Sequence, residues 1–281
     1  MSLRTALSAS SLPPGAPCWV ELAARDESAA RAFYGELFGW EFHRKHDPVG
    51  ADGRYALALC DGVQVAGLYQ AAPDRPAGWS VNLAVGNAVN TADWVTHLGG
   101  SLALGPLDVP ERGTVLHAVD PSGAPVVFWQ PPSDWAFGTG LPRMFSGADL
   151  NTHDGDAADE FYCKLFGLSS QQIGADDIDY AEWRLGHEPV IYRCVMDVRQ
   201  GSTVAPHWLV YFQADPTIGT DTLARLALRH GGGVLAEPYD TPFGRTALLS
   251  DPDGCPLAVI DHSRTRDLGV GRAEVDDPHD D

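Results

Sequence analysis

The chain has 281 residues, 44% of them hydrophobic, which is enough to fill two ordinary domain cores. Its 19 basic residues stand against 38 acidic ones, a net charge of −19 that repels phosphate backbones and anionic lipid, so neither nucleic acid nor a membrane is an expected partner. Five scattered cysteines (Cys18, Cys60, Cys163, Cys194, Cys255) with no C-x-x-C pair exclude a disulfide framework or a zinc ribbon, and fit a reducing cytoplasm. No apolar run is long enough to span a bilayer. Residues 1–15 read as a polar tail without the apolar stretch of a secretory signal, and residues 264–281 as an acidic C-terminal tail.

In chain order, Trp19–Ala23 alternates as a strand. Ser28–Phe38 then carries Ala29, Ala32, Phe33 and Leu37 at helical spacing, and Gly39 stops it. Strands follow at Tyr55–Leu59 and Val63–Leu68. The order restarts with a strand at Ser80–Val85, a helix at Ala92–His97 closed by Gly99-Gly100, and strands around Leu102, Val115–Val119 and Val126–Trp129. The unit is one strand, one helix and three further strands.

The second half says the same again. "AARAFYGELFGW" (Ala29–Trp40) recurs as "AADEFYCKLFGL" (Ala157–Leu168), so that Phe161 falls 128 positions after Phe33. "CWVELAARD" matches "SGADLNTHD" and sets Glu21 over Asp149; Tyr55 lies over Tyr180, and "WSVNLAV" over "WLVYFQA". "DPSGAPVVFW" matches "DPDGCPLAVI", while Gly231-Gly232 follow Gly99-Gly100 by 132 positions. Small drifts of this kind are loop insertions. Two homologous domains are expected, 16–133 and 145–263, joined by a Pro-, Trp- and Gly-rich linker at 134–144.

The ordered recurrence of "FY..LFG", "W....V", "GG" and "DP.G" in both halves resembles the vicinal oxygen chelate superfamily of glyoxalase I, bleomycin-resistance proteins and extradiol dioxygenases, in its tandem form. The resemblance implies an α+β fold. Four βαβββ units would form two glyoxalase-like lobes, each a cupped mixed sheet with helices outside. It also implies an intramolecular pseudo-dimer that behaves as a monomer or weak homodimer. The family's metal ligands are usually His, Gln or Glu on the cup face. The corresponding positions here are Trp19 and Gly147, Ser80 and Leu209, and Val127 and Ala258; a fourth, near Gln64–Leu68 and Ile191–Cys194, aligns only loosely. Three of the four positions thus lack a divalent-metal ligand in both lobes, so no metal and no other cofactor is expected.

Glu21 and Asp149 lie two residues past the lost ligand positions and so share their face. They are the candidate catalytic acids, as general bases or as partners for a ligand hydroxyl or amine. Trp19, Trp129 and Tyr211 offer stacking area to a planar ligand, with Asn82 and Tyr211 as polar anchors; Trp79 and Trp208 read as core. His207 reads as a rim histidine. The hairpin "DTPFGR" either presents Phe243 and Arg245 as a ligand lid or is only a turn. Both "DP.G" segments read as β-turns, since the residue types of a calcium loop are missing.

Two functions follow from the resemblance. One is sequestration of a small, partly aromatic or carbonyl compound in metal-free cups, as in drug resistance. The alternative is a metal-independent isomerase, cyclase or hydroxylase, or an accessory protein, acting on a natural-product-like substrate. A metal-dependent lyase or dioxygenase comes third. Because Gly147 replaces Trp19 and Tyr211 replaces Asn82, a large aromatic ligand is expected to prefer the second lobe.

Overall fold

A computed structural model describes residues 7–8, 12–46, 54–174, 178–196 and 204–265. The expected tails lie largely outside the described residues. After a two-residue strand β1 (Leu7–Ser8), the first lobe opens with β2 (Pro17–Ala24), α1 (Glu27–Phe38), β3 (Glu41–His46), β4 (Arg54–Cys60) and β5 (Val63–Gln70). Its second unit is β6 (Gly78–Ala84), α2 (Ala88–His97), β7 (Ser101–Val109), β8 (Gly113–Val119) and β9 (Pro125–Gln130). A short β10 (Ala136–Phe137), between the lobes, pairs with β1.

The second lobe repeats the plan. β11 (Phe145–Thr152), α3 (Gly155–Phe166), β12 (Ser169–Gln172), β13 (Tyr180–Leu185) and β14 (Glu188–Val195) form its first unit. β15 (His207–Gln213), α4 (Thr220–Arg229), β16 (Gly233–Thr241), β17 (Gly244–Ser250) and β18 (Pro256–Asp261) form its second. The sheets run β3-β4-β5-β2-β6-β9-β8-β7 and β12-β13-β14-β11-β15-β18-β17-β16. In each, the opening strands of the two units pair antiparallel at the centre, and each is flanked by a parallel partner, so both sheets are mixed.

Local chemistry explains why "D…FG" recurs. Asp26 caps α1 by accepting from the N–H groups of Ser28 and Ala29, and Asp154 caps α3 through Ala157. Gly39 and Gly167 both end their helices at φ 68°, the left-handed region where a Cβ is penalised. α2 starts at Ala88, earlier than its apolar spacing shows, because Asn87 caps it by accepting from the N–H of Asn90.

The two lobes pack through the sheet faces opposite the cups. Phe212 of β15 meets Phe38, Trp40 and Trp79 of the first lobe at 5.2 Å between ring centroids, and Phe128 of β9 meets Phe161 and Phe166 of the second. One hydrophobic core therefore runs through both lobes.

Two reciprocal hydrogen bonds cross it. Tyr34 of α1 donates to Asp251 Oδ2 at 3.2 Å, and Tyr162 of α3 donates to Asp120 Oδ2 at 2.8 Å. The other oxygen of each aspartate closes its own turn, Asp120 Oδ1 on the N–H of Ala124 and Asp251 Oδ1 on those of Asp253 and Cys255. The "FY" signature of each lobe thus fastens the "DP.G" signature of the other. Burial raises both phenol pKa values far above the ordinary range, so they remain donors.

Candidate functional site

Within the second sheet, side chains alternate between the core and the cup. Gly147 and Asp149 on β11, Leu209 and Tyr211 on β15 and Tyr192 on β14 share the cup face, because Gly147 pairs with Tyr211 and Asp149 pairs with both Leu209 and Tyr192. Tyr211 donates to Asp149 Oδ2 at 2.7 Å, and the Tyr180 hydroxyl lies 3.3 Å from both carboxylate oxygens. Asp149 is 7% exposed. Among the described residues no Lys, Arg or His forms an ion pair with it. Burial raises its carboxyl from the ordinary 3.8 to about 6, and the Tyr211 and Tyr180 hydrogen bonds only partly offset that.

An aromatic wall stands beside the acid. Tyr180 and Tyr192 stack 5.9 Å apart at 5°, and Phe243 meets both edge-on at 6.2 and 6.0 Å. A Cβ placed on Gly147 would meet nothing within 4 Å, so the floor beside Asp149 and Tyr211 is open. The result is a partly exposed sheet face with one nearly buried carboxylate and several ring faces and edges. Such a surface can accept a hydroxyl proton from a ligand while stacking on its rings.

The first lobe puts the same elements to another use. Tyr55, the counterpart of Tyr180, donates to Glu21 Oε1 at 2.5 Å and accepts from Trp19 Nε1 at 2.9 Å. Arg112 pairs with Glu21 Oε1 at 2.9 Å, and its guanidinium lies 4.1 Å from the Tyr55 ring centroid. Trp19 is fully buried against Trp135 and Phe137 from the connection between the lobes, and Trp129 is buried against Trp135. His117, across from Val127, is held below the ordinary imidazole range by burial. Lobe one's acid is paired with Arg112, and the indole of Trp19 stands where lobe two has only Gly147.

The sequence-derived candidates therefore divide. Asp149 and Tyr211 touch, and Phe243 joins them through Tyr180. Glu21 and Trp19 meet only in the lobe-one cup, through Tyr55, and Trp129 bonds the carbonyl oxygen of Arg112. Asn82 is buried there across from Trp19. His207 bonds the carbonyl of Ala205 and pairs in register with Asn151, on the same sheet face as Asp149 and two positions further along the strand. Arg245 is not brought to the cup: it pairs with Asp221 and Asp240 at 2.7 and 2.8 Å. Sequence reasoning missed Tyr180, Tyr192 and Arg112. The recurrence of Tyr55 as Tyr180 was the available signal for the first; nothing in the spacing marks the other two.

The donor set does not suit the divalent metal typical of the family. Trp19, Ser80 and Val127 occupy the three alignable positions of lobe one, and Gly147, Leu209 and Ala258 those of lobe two; Gly67 and Tyr192 flank the two acids on the neighbouring strands. Among the described residues no group of three His, Cys, Asp or Glu side chains could hold an ion.

Comparison with known proteins agrees with this architecture. Residues 18–128 match the model of the Glyoxalase/Bleomycin resistance protein/Dioxygenase superfamily. The anthracycline biosynthesis protein DnrV of Streptomyces peucetius is 33% identical, with 88% of this chain and 94% of that protein covered. The putative glyoxylase CFP32 of Mycobacterium tuberculosis is 34% identical at the same coverages. The Mn(II)-bound glyoxalase of Novosphingobium aromaticivorans superposes with a TM-score of 0.63 at 17% identity, over 91% of this chain and 83% of that one. The 2,3-dioxygenase LapB of Pseudomonas sp. KL28 superposes with a TM-score of 0.63 at 12% identity, over 89% of this chain and 93% of that one. With two eight-stranded cups built from four repeats of one unit, and relatives aligned along nearly their whole length, the chain belongs to the glyoxalase/bleomycin resistance protein/dioxygenase superfamily.

Proposed function

We propose that the cup of lobe two binds a small, planar, hydroxylated aromatic or carbonyl compound without a metal, serving natural-product metabolism or resistance by sequestration. The observation that carries this reading is Asp149, nearly buried, bonded by Tyr211 and Tyr180 and lacking a cationic partner among the described residues, beside the open floor at Gly147. A ligand hydroxyl can donate to this carboxylate while its rings lie against Tyr211 and the Tyr180–Tyr192 stack. Anthracyclines are planar, hydroxylated polycycles, so a relative named for anthracycline biosynthesis supports this ligand class. The repeats act as domains spanning 16–133 and 145–263, in a cytoplasmic monomer or weak homodimer.

Calorimetry with quinizarin, a planar dihydroxyanthraquinone, tests the reading. One site per chain is expected, and Tyr211→Ala should weaken it by about tenfold or more, as for a buried aromatic anchor. Two equal sites, no binding, or an unchanged affinity in Tyr211→Ala would refute it.

A second reading rests on the Asp149 carboxyl lying at about 6. An acid poised there can take a proton from an acidic C–H or O–H near neutral pH. That would make the protein a metal-independent isomerase-, cyclase- or hydroxylase-type enzyme, or an accessory to one. Turnover of a polyketide-like substrate that disappears in Asp149→Asn would favour it over binding alone.

A further inference from the structure

The hairpins that end in Arg112 and Phe243 are the same element in the two lobes. Each of these residues immediately precedes a glycine that opens the following strand, Gly113 or Gly244. A Cβ on Gly113 would fall 2.1 Å from the carbonyl oxygen of Gln130, and one on Gly244 would fall 2.5 Å from that of Asp261. Both tips therefore press against the end of the lobe's last strand. The tip residue's own carbonyl is also held in both lobes by a side chain from that strand or just beyond it. Trp129 Nε1 donates to the Arg112 oxygen at 2.6 Å, and His262 Nδ1 lies 2.8 Å from the Phe243 oxygen. A carbonyl only accepts, so His262 Nδ1 is the donor of this bond. Its Nε2 lies 2.7 Å from Ser146 Oγ.

The tips are anchored in the same way, but the lobe-one turn is one residue longer, with Pro110, Glu111 and Arg112 between the paired Val109 and Gly113 against Pro242 and Phe243 between Thr241 and Gly244, and the tip side chains differ. Arg112 spans the Tyr55 ring and reaches Glu21, which gives the acid of lobe one a cationic partner. Phe243 meets the equivalent Tyr180 edge-on, cannot reach Asp149 with a charge, and remains 42% exposed. We infer that Phe243 is the specificity-determining residue of the lobe-two cup: an aromatic at this tip leaves the carboxylate without a cation, available to a ligand hydroxyl, and adds an edge for its rings, whereas an arginine there pairs with the acid in the ligand's place. The inference rests on the binding reading above and extends it to the residue that distinguishes the acid of one lobe from that of the other.

Phe243→Arg puts a guanidinium at the lobe-two tip, as in lobe one, and two measurements read it. In ligand-free protein, carbon NMR of the Asp149 carboxyl should show its titration midpoint lowered by at least about one pH unit, the effect of a cation brought within reach. Phe243→Ala should leave that midpoint in place. Quinizarin affinity should fall at least about tenfold in Phe243→Arg and by less in Phe243→Ala. An Asp149 midpoint and a quinizarin affinity both unchanged in Phe243→Arg would overturn the inference while leaving the binding reading intact. If the wild type does not bind quinizarin, the binding reading fails and the Asp149 midpoint alone decides the role of residue 243.

Discussion

Asp149→Asn should make the protein more stable at neutral pH, although it removes a group central to the site. Burial raises this carboxyl from the ordinary 3.8 to about 6, so the folded chain binds a proton that the unfolded chain has already released. The sign follows: between those values the native state holds more protons, and stability falls as pH rises through about 6. At 1.36 kcal/mol per pH unit, the full penalty is about 3 kcal/mol, present above about pH 6 and absent below about pH 4. Asparagine keeps an oxygen for Tyr211 and carries no charge to desolvate. Part of the gain is lost to its amide N–H groups, which need new acceptors. Urea denaturation of both proteins at about pH 5 and about pH 7.5 isolates the effect. The stability difference between mutant and wild type should shift toward the mutant by about 1.5 kcal/mol across that interval. A difference that stays constant with pH, or that moves toward the wild type, would show that Asp149 is not a desolvated carboxylate.

Tyr34→Phe and Tyr162→Phe each leave an aspartate oxygen without its partner across the lobe interface, and each should cost about 1–3 kcal/mol in thermal or urea denaturation. The double variant should come close to the sum, because the two bonds share no residue. Gly67→Ala would place a methyl 1.9 Å from the Tyr55 hydroxyl, so it should destabilise by about 1–3 kcal/mol and loosen the Tyr55–Glu21 bond, visible in tyrosine fluorescence. Arg193→Ala removes a buried guanidinium that holds Asp159 at 2.8 and 2.9 Å and also bonds Asp179, and should cost about 3 kcal/mol by calorimetric melting.

The repeat, the order of elements and the cup-facing parity of Glu21, Asp149 and Tyr211 were legible because they depend on local periodicity and on residues a few positions apart. The edge strand β3 (Glu41–His46) was not. "EFHRKH" has almost no apolar alternation and is held by backbone pairing to β4. The pairing of the lobe-one acid was equally hidden. Arg112 reaches Glu21 across 91 positions of sequence, and nothing in "VPERG" announces a guanidinium over a tyrosine ring. In the same way "DTPFGR" names Phe243 and Arg245 together. Only the hairpin geometry separates them, one at the cup and the other bound to Asp221 on a helix. Charge partners distant in sequence are decided by tertiary packing, which propensity cannot reach.

The reciprocal tyrosine–aspartate bonds make each lobe the completion of the other. A lobe produced alone would expose the faces of Phe38, Trp40 and Trp79, or of Phe161, Phe166 and Phe212, and would leave a tyrosine and an aspartate without their mates. The chain is thus a complementation pair written on one polypeptide. Severing the connection near residue 140 need not separate the halves, because the interface and not the peptide bond holds them. Two fragments mixed in equal amounts have the means to find each other and rebuild both cups, and neither has the means to persist without its counterpart. Fusion fixes their ratio at one to one, and so frees the two cups to diverge, one with its acid paired to an arginine and the other with a phenylalanine at that tip.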